Sequence, residues 1–225
     1  MKMTPHQSTY QAKVYRDFRA IEPKEWRTIV RYFEEYQKEI RELEFEAYFE
    51  MVTAYTNALF EIGAYEKNLR MADTVIELSV MNNVRFFNGE DVFHTVLFKK
   101  AASCYHTYQL EKADYILREL LRIDPYDNDA SMFLKKCIRK MHPSFVRKMR
   151  AAAILSYLTA ALFICIEFLV IHSFYPQFKP LFEGVRNGVF SLGCIFLIAG
   201  DVIHRWRSNR EVDDFVAIQR RRKRR

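Results

Sequence analysis

The residues that could carry chemistry are sparse and do not converge. The chain contains no Gly-rich phosphate loop, no HExxH and no GxSxG. Its four Cys include no CxxC pair, which argues against both a disulfide framework and a zinc ribbon. Asp201 and His204 lie three apart on one helical face, a spacing that could hold two ligands of a metal, but no third ligand is near them. No catalytic residue, metal or cofactor is therefore expected, and the chain reads as non-enzymatic. One side chain stands out for the opposite reason. Glu167 is a formal charge inside a long apolar run, where a charge is costly and is a functional hint by default.

That run extends from Ala151 to Phe174, 24 residues with Glu167 as its single charge. About 20 helical residues cross a hydrocarbon core of about 30 Å, so the segment predicts a transmembrane helix. A second segment, 184–204, holds an uninterrupted apolar centre from Val189 to Gly200, with Arg186 and Asp201 near its ends. Pro176 and Pro180 lie between the two and predict a short turn, hence a helical hairpin over 151–204. Matching depths about residue 179 would set Glu167 beside Ser191 and Asp201 beside Tyr157.

Charge follows the same plan. Residues 1–134 carry a net −5, residues 135–150 carry seven bases and no acid, and residues 205–225 carry nine bases and three acids. One patch of such charge would suggest nucleic acid; two basic blocks flanking an apolar hairpin suggest a membrane, and nucleic acid is not an expected partner. The positive-inside rule puts both termini in the cytoplasm. The first residues, MKMTPHQSTYQAK, have no apolar h-region, so the part before the hairpin is expected to stay on that side. Arg147, Lys148 and Arg150 before the hairpin, and Trp206, Arg221 and Lys223 after it, are the expected contacts to anionic headgroups. Gly184, Gly188, Gly193 and Gly200 fall in the second segment, with Ala153, Ser156, Ala160 and Ala161 as small residues in the first. Such residues allow close helix packing, within the hairpin or between two copies of the chain.

Between Lys24 and Met141 the chain has one Pro and two Gly, which predicts helices joined by short turns. The organisation expected is an N-terminal segment 1–22, a helical domain 23–140, a basic linker 141–150, the hairpin with spans 151–174 and 184–204, and a basic tail 205–225. Two stretches of the helical domain, near 49–82 and 94–127, align with each other at an offset of 45 residues. The run NVRFFNGEDVF accounts for about 11 residues inserted between them.

These stretches resemble tetratricopeptide repeats. The second carries Leu97, Ala101, Ala113, Leu117, Leu120 and Pro125 where that family places large, small, small, large, apolar and terminating residues. The first matches through Ala58, Gly63, Tyr65 and Leu69 and departs at Asn68, Val75 and Val80. The fold class expected is all-α, a helical-repeat domain followed by a transmembrane hairpin. The resemblance implies a concave groove for a protein partner, lined by Thr53, Asn57 and Phe60 of the first repeat and Phe98, Ala102 and Tyr105 of the second. A membrane-anchored adaptor or scaffold is the expected function; the alternative is a structural subunit of a larger transport or secretion complex.

Overall fold

The computed structural model describes residues 13–87, 89–141, 144–171 and 179–224; residues 1–12, the lead-in His142–Pro143 and Pro176 of the expected turn lie outside them. The chain divides into two compact units, one ending at Leu134 and one starting at Lys135.

The first unit is helical. Helix α1 covers 13–19, α2 Trp26–Glu35, α3 Gln37–Arg41, α4 Phe45–Glu61, α5 Tyr65–Met81, α6 Val92–His106 and α7 Leu110–Ile123, and α8 (Asn128–Met141) starts there. Two helix pairs, α4/α5 and α6/α7, repeat the same turn. At the end of α4, Gly63 takes φ +80° and the Ala64 N–H donates to the Leu59 carbonyl at 2.9 Å. At the end of α6, Tyr108 takes φ +60° and the Gln109 N–H donates to the Cys104 carbonyl at 2.8 Å. Both are left-handed helix ends that return one N–H to an orphan carbonyl. Gly63 adopts that backbone freely, whereas Tyr108 does so against a cost of about 1 kcal/mol for a residue with a Cβ. The two turns stand 45 residues apart, the offset of the aligned stretches.

The inserted run becomes helical only at its end, where Val92 and Phe93 open α6. It forms a two-stranded antiparallel ribbon, β1 (Phe86–Phe87) against β2 (Glu90–Asp91), turning at Gly89 with φ +83°. Asp91 ends the ribbon and caps α6 by accepting the His94 N–H at 2.9 Å. Asp127 accepts the Ala130 N–H at 3.0 Å and opens α8; its other oxygen lies 2.8 Å from His94 Nε2.

The core is contributed by apolar residues at helical spacing. Phe49, Val52 and Leu59 of α4, Val75 of α5 and Val96 of α6 are buried together, with Phe33 stacked on Tyr55 at 4.1 Å and Phe49 edge-on to Phe87 at 5.4 Å. In the second pair Ala101, Ala113, Leu117 and Leu120 are fully buried. Asn68, out of place among small residues in the sequence, has a structural role. It is fully buried, its Nδ2 donates to the Thr56 carbonyl at 2.8 Å, and its Oδ1 accepts from Ser103 Oγ at 2.7 Å. One amide thus ties α5 to both α4 and α6.

In the second unit α9 (Ser144–Ile166) continues through a π-helical turn, Glu167–Ile171, and packs on α10 (Lys179–Lys223). The helices Ser144–Leu169 and Lys179–Lys223 are long and apolar enough to cross a membrane. Both outrun the expected spans: residues 144–150 form the first turns of α9, and the tail through Lys223 continues α10. Leu155, Leu158, Phe168, Ile195 and Ile198 are exposed, a surface that water disfavours and hydrocarbon accepts.

Candidate functional site

The face of α4 that carries Glu50, Thr53, Ala54 and Asn57 opens onto a cleft of about 380 Å³. The spacing i, i+3, i+4, i+7 puts these four side chains on one stripe of the helix. Val92, Thr95 and Val96 of α6 face them, and Phe87 of β1 and Pro23 close the sides. Phe87 is there because the inserted ribbon folds back onto Phe49.

The polar atoms of the stripe differ in how they are paired. Glu50 is engaged: the Tyr15 hydroxyl donates to Oε2 at 2.5 Å, and Arg19 Nε stands 3.7 Å from Oε1. That bond to the carboxylate, followed by burial, holds the Tyr15 phenol above its ordinary pKa. Thr53 Oγ1 and Asn57 Oδ1 are buried atoms with no hydrogen-bond partner. Buried polar atoms are almost always paired, and leaving one unpaired costs about 1–3 kcal/mol. The residues that line the cleft therefore include two with an unsatisfied buried oxygen, one of them an obligatory acceptor, beside an acidic side chain and an apolar wall. It can hold a segment that brings N–H or O–H donors together with apolar side chains.

No family model, curated protein or solved structure matches this chain.

Of the six residues expected in a groove, Thr53 and Asn57 line the cleft. The other four do not. Phe60 stands edge-on to Tyr65 at 5.8 Å, under Lys99 Nζ at 5.4 Å. Phe98 and Tyr105 lie 5.7 Å and 5.3 Å from Phe133 of α8, and Ala102 is buried. The start of α8 thus occupies the aromatic side of α6. Glu50 was legible by its position three residues before Thr53 on the same face. Phe87 was not, because nothing in a short inserted run states where it will fold.

In the second unit the polar residues pair by a different register from the one expected. Glu167 meets Arg186 at 2.8 Å, not Ser191, which is exposed. Asp201 meets Arg150 at 3.4 Å, and Tyr157 reaches Cys194 Sγ at 3.4 Å. These pairs are centred near residue 176 rather than 179, and a small shift of that centre moves every partner by about twice that amount. The side chains of Glu167 and Arg186 are 13% and 28% exposed, so the carboxylate is shielded by its partner. Arg150 of α9 and Glu167 at the start of the π-helical turn lie 17 residues apart, about 26 Å at 1.5 Å per residue, with no charge between them. The two ion pairs therefore bracket one hydrocarbon thickness.

Close packing accounts for two of the four glycines. A Cβ at Gly193 would lie 2.8 Å from Tyr157 Cε1, and one at Gly200 would lie 2.7 Å from Met149 Cβ. Gly184 and Gly188 have open space. Asp201 and His204 turn to separate partners, since His204 Nε2 donates to the Arg139 carbonyl at 3.0 Å. Of the expected headgroup contacts, Arg147, Lys148 and Arg221 are exposed, as is Lys223 at the end of α10, and Trp206 is exposed with the Arg210 guanidinium 5.3 Å from its ring.

Proposed function

We propose that the chain is a non-enzymatic scaffold of tetratricopeptide type, anchored in a membrane by α9 and α10 with both termini cytoplasmic, and that its cleft takes a segment of a protein partner. The observation that carries the reading is the pair of unsatisfied buried oxygens, Thr53 Oγ1 and Asn57 Oδ1, on the wall of a cleft that also has apolar lining. A polypeptide supplies both halves of that complement, backbone N–H donors and side chains. The 45-residue repetition of the α4/α5 turn at α6/α7, with small Ala101 and Ala113 buried, supports the repeat assignment.

Photo-crosslinking in intact membranes tests the proposal. A crosslinking side chain placed at Thr95, in the cleft, captures a protein that the same group at Tyr115, exposed on α7, does not. Capture from Ile195 on the exposed face of α10, with none from Thr95, would instead favour a subunit held in a larger complex by its spans.

A further inference from the structure

The second unit contains a cavity that the scaffold reading leaves unused. It has about 380 Å³ between the end of α8, the start of α9 and α10. Ile138, Phe145 and Ile203 form its apolar part, and Ser144, His204, Arg207, Ser208 and Glu211 its polar part.

Three features give this cavity a chemical preference. Arg207 is exposed and makes no ion pair with a described residue. Ser208 is 4% exposed, lines the cavity, and makes no hydrogen bond to a described residue. A buried helical serine ordinarily satisfies its hydroxyl on the carbonyl four residues back, as Ser156 does on Ala152, and Ser208 makes no such bond to His204. The start of α9 supplies backbone N–H groups without intrahelical acceptors, and its first turn holds no acid; Arg147, Lys148 and Arg150 follow instead. Cations at a helix N-terminus oppose the macrodipole, and an anion there relieves both. Glu211 is the one carboxylate on the rim.

Depth narrows the anion. The Arg150–Asp201 pair marks one edge of the apolar band. Arg207 lies six residues further along α10, about 9 Å, which is headgroup depth. Ile203 and Phe145, the exposed apolar residues of the lining, are accessible to acyl chains.

We infer that this cavity is a discrete site for the phosphate of an anionic phospholipid. Arg207 holds the phosphate as a charge-assisted donor, Ser208 gives a hydroxyl, and Ile203 and Phe145 carry the first acyl carbons. The inference rests on α9 and α10 being spans, and it replaces a diffuse attraction to basic residues with one stoichiometric site.

Native mass spectrometry of the full chain in mild detergent, titrated with phosphatidylglycerol and with phosphatidylcholine of the same acyl chains, tests it. One saturating adduct is expected with phosphatidylglycerol. Arg207→Gln should weaken it about tenfold or more, the loss of one charge-assisted contact. Ser208→Ala should weaken it less, Arg207→Lys should keep most of it, and Arg222→Gln, at an exposed base of the same helix, should leave it unchanged. Circular dichroism of each variant checks that helix content is retained. Equal loss from Arg207→Gln and Arg222→Gln would mean diffuse attraction and would overturn the site. Displacement of the lipid by inorganic phosphate would assign the cavity to a soluble anion and overturn the lipid. Alkaline extraction of native membranes separates the two levels. Release of the chain into the supernatant rejects the spans and the site together. Retention without a phosphatidylglycerol adduct rejects the site alone.

Discussion

In the N-terminal unit the most deeply buried polar groups, Asn68 and Ser103, are uncharged and bonded to each other, with Asn68 also bonded to α4; in the C-terminal unit charged side chains pair between the two long helices, Glu167 shielded on Arg186 and Asp201 half-exposed on Arg150. The helix contacts differ as well. α4, α5 and α6 interlock through Val52, Leu59, Val75 and Val96, whereas α9 and α10 meet where Gly193 admits the ring of Tyr157 and Gly200 admits Met149. The solvent explains both differences. Water drives apolar side chains inward, so large ones fill the first unit and a neutral amide suffices to fix the crossing. In the proposed membrane setting hydrocarbon gives no such drive, so α9 and α10 would associate through close backbone approach and keep their charges in pairs at the ends of the apolar band.

That contrast can be broken most sharply at Phe49. It is 1% exposed between Phe45 and Phe87, so Phe49→Ala should cost about 3–5 kcal/mol in urea unfolding of the first unit. Leu155 on α9 is 68% exposed, and Leu155→Ala should change thermal stability in lipid by about 0.5 kcal/mol or less. A large loss at Leu155 would mean that this face packs on protein rather than lipid.

A smaller effect sharpens the glycine contact. Gly193→Ala puts a methyl 2.8 Å from Tyr157 Cε1 and should cost about 1–3 kcal/mol, measured by thermal denaturation in detergent. Gly188→Ala, with open space, should cost nothing or stabilise the helix slightly. Equal losses at the two sites would show that Gly188 also faces a helix, as a second copy of the chain would require.

The smallest effect concerns surface charge. Lys67 Nζ donates to Glu34 Oε1 at 2.7 Å and Tyr55 donates to the same oxygen at 3.0 Å. The Lys67 bond is the main cause that holds the Glu34 carboxyl below its ordinary pKa. A carboxyl lowered on folding contributes stability that is present above its unfolded pKa and lost as pH falls through the folded one. Lys67→Met should therefore cost less than about 1 kcal/mol near neutrality. The difference from the parent chain should fade as acid protonates Glu34, and a difference that grew in acid would contradict the assignment.

Much of the architecture was legible because it depends on local chemistry. The apolar runs and the basic blocks beside them each follow from residues within a turn or two of one another. The cleft was half legible. Thr53 and Asn57 follow from the register of one helix, but its far wall comes from Val92, Thr95 and Phe87, whose approach depends on an inserted ribbon. Asn68 read as a departure from a repeat pattern because its partners, the Thr56 carbonyl and Ser103, lie on two other helices.

The sequence by itself determined that the chain is helical, that its second part is apolar over two lengths sufficient for a bilayer, and that bases flank them. Composition and periodicity encode these properties one element at a time. Only the tertiary structure decided that Glu167 meets Arg186 rather than Ser191, that Phe98 and Tyr105 pack against Phe133, and that Thr53 and Asn57 keep unpaired oxygens. Each of these is a contact between distant segments. A shift of a few residues in a turn changes such a partner while leaving every local signal in the sequence as it was.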